Sequence, residues 1–103
     1  MVSAYAQTMD FLELVKTGTR QSVEDAINNG ADIKALDSLG RTPLMLAAES
    51  NPNPEVIIAL LKAGADAKAK DKAGKTAFDY ARSNYSLRVR GPDALKQLEE
   101  ASK

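Results

Sequence analysis

The sequence lacks cysteine, histidine and tryptophan altogether. Without cysteine, neither a disulfide framework nor a thiolate metal site can form. Without histidine, the chain has neither the commonest general acid or base nor the commonest metal ligand. Aromatic residues make up only 5% of the composition, so alanine and aliphatic side chains must fill the core. We therefore expect thin, closely packed helices, no cofactor, no metal site and no catalytic residues.

Long apolar runs and a targeting signal are also missing from the sequence. No run approaches the roughly 20 residues that a membrane-spanning helix needs. Residues 1–7, MVSAYAQ, do not show the basic segment followed by an apolar stretch that marks a secretory signal peptide. We therefore expect no membrane contact. The missing signal favours a cytoplasmic location, which nothing else in the sequence indicates.

Charge is balanced overall but unevenly distributed along the chain. Residues 1–60 contain 4 Lys or Arg and 8 Asp or Glu, a net charge of −4. Residues 61–103 contain 10 Lys or Arg and 6 Asp or Glu, a net charge of +4. If order along the chain is also order in space, as in a stacked array, the molecule has an electric dipole along its axis. The alternative is an uneven scatter of solvated side chains without consequence.

Two stretches of sequence recur at a spacing of 34 residues. Segment 40–48, GRTPLMLAA, returns as GKTAFDYA at 74–81, and segment 29–35, NGADIKA, returns as AGADAKA at 63–69. A period of 20–50 residues indicates stacked supersecondary units. Such a stack offers a long surface rather than one pocket, which favours recognition over chemistry.

Apolar spacing and capping residues predict three pairs of helices. The first pair starts with Thr8 as its N-cap, divides at Gly18 and closes at Gly30, where glycine supplies a left-handed residue. The second pair starts with Thr42 as its N-cap and with Pro43 at the first helical position, where a missing N–H costs nothing.

The third pair begins at Thr76, and its second helix begins at Pro92. The connector between these two helices is about three or four residues longer than the one in the second pair. Segment 85–90, YSLRVR, alternates as a strand does. It is either a covered connector whose apolar side chains pack down, which we favour, or a binding loop. The last helix has a polar outer face over residues 96–103, which predicts a capping end of the array.

Two matched turns link the pairs. They are ALDSLGR at 35–41 and AKDKAGK at 69–75. Aspartate favours the first position of a turn, and glycine three residues later tolerates a positive φ. Both turns therefore predict short hairpins that project sideways from the stack.

These residues resemble a known family. The motif D-x-x-G-x-T-P-L-M-x-A-A at 37–48, followed by LLKAGAD at 60–66, resembles the ankyrin repeat, which is a hairpin turn plus two antiparallel helices of about 33 residues. The resemblance covers about residues 8–101. It implies an all-α repeat solenoid of ankyrin-type helix pairs linked by β-hairpin-like turns.

The resemblance also implies a division of the chain into units. It predicts one domain over 1–103, made of an N-terminal capping pair at about 8–36, a full repeat at 37–70 and a C-terminal capping repeat with an inter-helix insertion at 71–101. The first unit lacks a hairpin of its own. The histidine that ties neighbouring hairpins together in the family is replaced by Met45 and Asp79, so we expect the turns to be held less firmly.

The resemblance implies that the chain is a protein–protein interaction module, and expected to be monomeric. The partner would bind the concave side, formed by turn tips and the outward positions of each first helix. Carried over position by position, these residues are Leu36, Ser38, Leu39, Arg41, Glu49, Ser50, Lys70, Lys72, Ala73, Lys75, Ser83 and Asn84. Any one of them can also be plain surface.

Leu36 and Leu39 are the sharpest candidates, because the turn requires neither of them and exposed apolar patches mark contact sites. The alternative is that one of them folds back onto a neighbouring turn. Lysines make the second turn basic, which suits an acidic protein segment. Nucleic acid is a poor fit, since the net charge is zero and no aromatic stacking array or groove-reading motif accompanies the lysines.

Two other functional classes stay open. The stack could be a regulatory or scaffolding part of a larger protein. It could also be a structural unit that self-associates head to tail through its oppositely charged halves.

Overall fold

The computed structural model describes residues 4–103, and side chains from residue 11 onward. That part of the chain contains seven helices and no strand. They are α1 (Ala4–Thr17), α2 (Arg20–Asn28), α3 (Pro43–Ser50), α4 (Pro54–Lys62), α5 (Ala77–Ala81), α6 (Tyr85–Arg90) and α7 (Pro92–Ala101).

The helices form two layers. Helices α1, α3 and α5 pack side by side in chain order, and α2, α4 and α7 pack behind them in the same order. The short α6 packs against α7 and α4. This arrangement confirms the prediction of an all-α repeat fold of paired helices.

The start of the first helix differs from the sequence prediction. Helix α1 begins at Ala4, so Thr8 lies inside it and the prediction of an N-cap at Thr8 is wrong. The sequence AYAQ at 4–7 contains no helix breaker, and alanine has the highest helix propensity, so the helix continues upstream of the threonine. The next helix has the threonine cap that α1 lacks, because Thr19 Oγ1 accepts the backbone N–H of Ser22 at 3.1 Å.

The middle repeat follows its predicted caps closely. Thr42 Oγ1 accepts the backbone N–H of Met45 at 3.2 Å, and Pro43 is the first residue of α3. In α4, the side chains of Val56, Ile57 and Leu60 are fully buried. The core is therefore the seam between the two layers, and it is filled by aliphatic side chains as the composition predicts.

Two buried asparagines join successive helices of the front layer. Asn51 Nδ2 donates to the carbonyls of Val15, at 2.8 Å, and Gly18, at 3.0 Å. One repeat later, Asn84 Nδ2 donates to the carbonyls of Ala48, at 2.9 Å, and Asn51, at 3.1 Å. Carbonyls at the C-terminal end of a helix have no partner within that helix. Each asparagine therefore caps the preceding front-layer helix from outside.

The connector of the third repeat is a helix, and the strand-like interpretation of residues 85–90 is wrong. Asn84 Oδ1 caps α6 by accepting the backbone N–H groups of Ser86, at 3.0 Å, and Leu87, at 3.4 Å. Leu87 is fully buried, while Tyr85 and Val89 are exposed, so the expectation of a covered connector is wrong for Tyr85. In a helix, residues four apart share a face and the residue midway between them faces away. An alternation over five residues therefore fits one helical turn as well as a strand.

Candidate functional site

The first turn is organised around the carboxylate of Asp37. Its Oδ1 accepts the backbone N–H groups of Leu39, at 2.9 Å, and Arg41, at 2.8 Å. Its Oδ2 accepts Nε–H of Arg41 at 2.7 Å. The turn closes with Gly40 N–H donating to the Asp37 carbonyl at 3.0 Å, and Gly40 has a φ of +76°. This is the predicted turn chemistry, with an added ion pair.

The second turn repeats that geometry with a different third donor. Asp71 Oδ1 accepts the backbone N–H groups of Ala73 and Lys75, each at 2.9 Å. Its Oδ2 accepts the hydroxyl of Tyr80. The ammonium of Lys75 instead lies 5.5 Å from the centre of the Tyr80 ring, within cation–π range.

The two turns are also hydrogen-bonded to each other. The backbone N–H of Lys72 donates to the carbonyl of Leu39 at 3.0 Å. Gly40 lies so close that a Cβ there would come within 3.3 Å of the Lys72 backbone nitrogen. The turns are thus held by aspartate and by this inter-turn bond in the absence of the histidine, and the expectation that they are held less firmly than with it stays a prediction.

Both turn aspartates have a pKa below the ordinary value of an aspartate. Burial raises the pKa of Asp37, but hydrogen bonds from Arg41 and Leu39 together lower it by more, so that its pKa lies below the ordinary value. The pKa of Asp71 is also lowered, mainly by the Tyr80 hydroxyl and then by the N–H of Lys75. The same bond to Asp71 raises the pKa of Tyr80 to about 12. Both carboxylates are therefore ionised at neutral pH and serve as acceptors for their turns.

A groove of about 420 Å³ runs between α1 and the first turn. It is lined by Leu12, Glu13, Lys16, Leu36, Asp37, Ser38 and Leu46. Leu36 is 59% exposed and Leu39 is 54% exposed, so neither leucine folds back onto its neighbours. The groove brings the first turn together with α1, whose side chains were absent from the predicted site.

Most of the predicted partner-binding residues are exposed. The exposed ones are Leu36, Ser38, Leu39, Glu49, Ser50, Lys70, Lys72, Ala73, Lys75 and Ser83. Arg41 is only partly exposed, because its guanidinium bonds Asp37 and also reaches Glu49 Oε1 at 3.2 Å. Arg41 is therefore committed to the turn before any partner arrives.

Asn84 is a correction to the predicted site. Its side chain is buried, and both its amide nitrogen and its amide oxygen are used within the chain. It is therefore unavailable to a partner. A signal for its structural role was present, since asparagine occurs at 51 and again 33 residues later at 84, and a position that recurs with the repeat is a structural position.

Three residues of α1 in the groove were missed by the sequence analysis. Glu13 and Lys16 form an ion pair at 3.2 Å on the helix surface, and Leu12 lies beneath them in the groove wall. The repeat itself carried the signal, because α1 is the front-layer equivalent of α3. Its outward positions therefore belong to the same surface as those of α3.

Side chains that ligate metals do not cluster in groups of three within the described part of the chain. In residues 4–103, every helix is too short or too polar to span a bilayer.

Comparison with protein families identifies the repeat. A family model described as ankyrin repeats (many copies) matches residues 27–81, more than half of the chain. The matched segment runs from the end of α2 to the end of α5 and includes both turns. Ankyrin repeats are generally modules of protein–protein interaction and are typically non-catalytic. On this match, the chain belongs to the ankyrin repeat family.

Proposed function

We propose that this chain binds another protein through its turn surface, which comprises the tips of both turns and the groove beside α1. The observation that carries the proposal is the exposure of Leu36 and Leu39, at 59% and 54%, on a turn fixed by hydrogen bonds. Neither leucine side chain is part of the buried core, and the hydrogen bonds that form the turn do not require a leucine side chain at either position.

Rigidity of the first turn supports a role in binding. Asp37 fixes the backbone of the turn, and the inter-turn bond from Lys72 to Leu39 fixes its position on the stack. Apolar side chains on a preorganised backbone lose little conformational entropy when a partner covers them. The two leucines are therefore suited to anchor a complementary apolar side chain of the partner.

The second turn supplies charge. Lys70 and Lys72 are exposed and make no ion pair among the described side chains, and the ammonium of the exposed Lys75 lies 5.5 Å from the centre of the Tyr80 ring. These lysines suit acidic groups on the partner that flank its apolar anchor. Such exposed charges mainly accelerate encounter, and their effect falls as salt rises.

The proposal is tested by affinity capture from the source cells followed by a measured affinity. Wild type is compared with Leu36→Ser/Leu39→Ser and with Asn28→Ala, which changes an exposed side chain of α2 outside both the turn surface and α6. Circular dichroism first establishes that all three proteins are folded. A protein that wild type captures through the turn surface should bind the Leu36/Leu39 variant at least tenfold more weakly by calorimetry and bind Asn28→Ala unchanged.

Two outcomes would overturn the proposal. The first is the same set of captured proteins, with the same affinities, from wild type and the Leu36/Leu39 variant. The second is no capture at all together with a salt-sensitive increase of molecular mass in light scattering, which would mean head-to-tail self-association.

A further inference from the structure

Helix α6 has no equivalent in the middle repeat. There, residues 51–53 join α3 directly to α4, whereas α5 reaches α7 through a six-residue helix. The family match ends at Ala81, before α6 begins. Its N-terminus is capped by Asn84 and its inner side is anchored by the fully buried Leu87. The insertion is thus a fixed platform on the stack.

The outer face of this platform is apolar. Tyr85 is 72% exposed and Val89 is 58% exposed, and the two lie one helical turn apart on the same face. Arg88 is exposed and lies three residues from Tyr85, which places it beside them. We call Tyr85, Arg88 and Val89 the α6 face. The Asn84 cap and the burial of Leu87 already attach the helix, so the fold does not explain the two exposed apolar residues.

The segment of the chain that contains this face is basic. Residues 80–92 contain three arginines and neither aspartate nor glutamate. Arg90 lies in a groove that also contains Glu55 and Asp93, so acidic side chains are present at the C-terminal end of α6. Arg82 and Arg88 form no ion pair among the described side chains, and the guanidinium of Arg82 lies 6.0 Å from the ring centre of Phe78. The α6 face itself therefore includes one exposed arginine, Arg88, that has no ion pair among the described side chains.

We propose that the α6 face binds an acidic segment of a partner protein, which places an apolar side chain between Tyr85 and Val89 and a carboxylate on Arg88. The argument for this occupant is charge complementarity around an apolar anchor. A membrane surface suits it less, because interfacial helices bury a long apolar face and α6 offers two side chains. The site is separate from the turn surface, since α6 follows the end of α5 that is remote from the turn.

The probe is a phage-displayed library of random 12-residue peptides, selected on the full wild-type chain. Selected peptides are synthesised, and their affinities are measured by fluorescence anisotropy. They are measured against wild type, Tyr85→Ser/Val89→Ser, Arg88→Glu and Leu36→Ser/Leu39→Ser, each shown to be folded by thermal melting. The proposal expects peptides with acidic residues around an apolar one. Their binding should weaken at least tenfold in both α6 variants and stay within twofold in the Leu36/Leu39 variant.

A charge swap sharpens the test. When glutamate or aspartate in such a peptide is replaced by lysine, binding to wild type should fall and binding to Arg88→Glu should recover. Peptides that depend on Leu36 and Leu39 alone, or that contain no acidic residue, would overturn the proposal while leaving the turn surface intact as the function.

Two further measurements identify the other possible occupants. Vesicles containing phosphatidylserine that retain wild type but not Tyr85→Ser/Val89→Ser would assign the face to a membrane and overturn the proposal. A dimer in light scattering that the same variant abolishes would assign it to a second copy of the chain, with the same consequence.

Discussion

The middle and third repeats use the same turn aspartate with different partners. Asp37 and Asp71 each accept two backbone N–H groups through Oδ1. The remaining oxygen accepts Nε–H of Arg41 in the first turn and the hydroxyl of Tyr80 in the second. The turn backbone therefore determines the partners of Oδ1 in both repeats. The partner of Oδ2 depends on which side-chain donor lies nearby.

The choice of donor decides what each turn presents to solvent. In the first turn, Arg41 is paired with Asp37 and Glu49, so the tip presents leucines. In the second turn, tyrosine replaces arginine as the donor, and the lysines keep their charge at the surface. One apolar tip and one basic tip thus stand side by side on the same scaffold.

The largest effects should come from the asparagines that the two repeats share. Asn51→Ala leaves the buried carbonyl of Val15 without a donor and the carbonyl of Gly18 with only Asn53 Nδ2, at 3.3 Å, and the expected loss is about 3 kcal/mol of unfolding free energy. Asn84→Ala, which uncaps the next helix, should cost about 2 kcal/mol. Urea unfolding followed by circular dichroism measures both. The exposed Asn28→Ala is the control and should stay within about 0.5 kcal/mol of wild type.

If Asn84→Ala lowered the unfolding free energy as little as Asn28→Ala does, the side-chain bonds of Asn84 would not stabilise the third repeat as those of Asn51 stabilise the middle one. The shared role of the two asparagines would then be rejected.

Replacing each turn aspartate by asparagine should separate the two turns. The Oδ1 of an asparagine can still accept both backbone N–H groups. The substitution therefore changes only the other side-chain atom, from the acceptor Oδ2 to an NH₂ donor. In Asp37→Asn the new NH₂ group faces Nε–H of Arg41, two donors meet, and the expected loss is about 2 kcal/mol. In Asp71→Asn the NH₂ can donate to the Tyr80 oxygen, so the loss should be clearly smaller. Equal losses in urea unfolding at pH 7 would show that the donor makes no difference.

The glycines of the two turns offer a finer comparison. Gly40 and Gly74 have φ values of +76° and +81°, so alanine at either position should cost about 1 kcal/mol from backbone strain. At Gly40 the new Cβ also crowds the Lys72 nitrogen at 3.3 Å and weakens the inter-turn bond, which should add about 1 kcal/mol. At Gly74 no atom lies within 4 Å. Thermal melting of the two variants tests whether Gly40→Ala is the less stable.

The smallest effect concerns alkaline pH. The folded pKa of Tyr80 is about 12, above the value near 10 of a free tyrosine. Its contribution to stability is therefore complete below about pH 10 and is lost as the pH rises towards 12. Tyr80→Phe should reduce the fall in stability between pH 8 and pH 11 by less than about 1 kcal/mol, since the pair is partly exposed. Tyr85→Phe, which removes an exposed hydroxyl without a hydrogen bond, should leave that fall unchanged.

Local chemistry explains which features could be predicted from the sequence. The Thr42 cap, the proline after it and the positive φ of the turn glycines all follow from residues within four positions of one another. The repeat then placed these local features in a stack, because a spacing of 34 residues recurred for both the turns and the helix ends. The family match over 27–81 agrees with that part of the prediction.

Contacts between repeats explain most of what was missed. Asn84 has an exposed position in the family pattern but is buried here, because the carbonyls that it caps come from a helix 33 and 36 residues earlier. The bond between Tyr80 and Asp71 joins a helix to the turn before it. Neither leaves a mark in local periodicity. Helix α6 was missed for a different reason, because six residues are too few to distinguish a helix from a strand by apolar spacing.

The asparagine bonds give the stack a direction. Val15, Gly18 and Asn51 are related as Ala48, Asn51 and Asn84 are, each 33 residues further along. The middle unit therefore receives a donor from the unit after it and offers one to the unit before it. A copy of residues 51–83 inserted after Ser83 would present the matching acceptor and donor at its two ends. The fold can thus be lengthened by whole units, and in one orientation only.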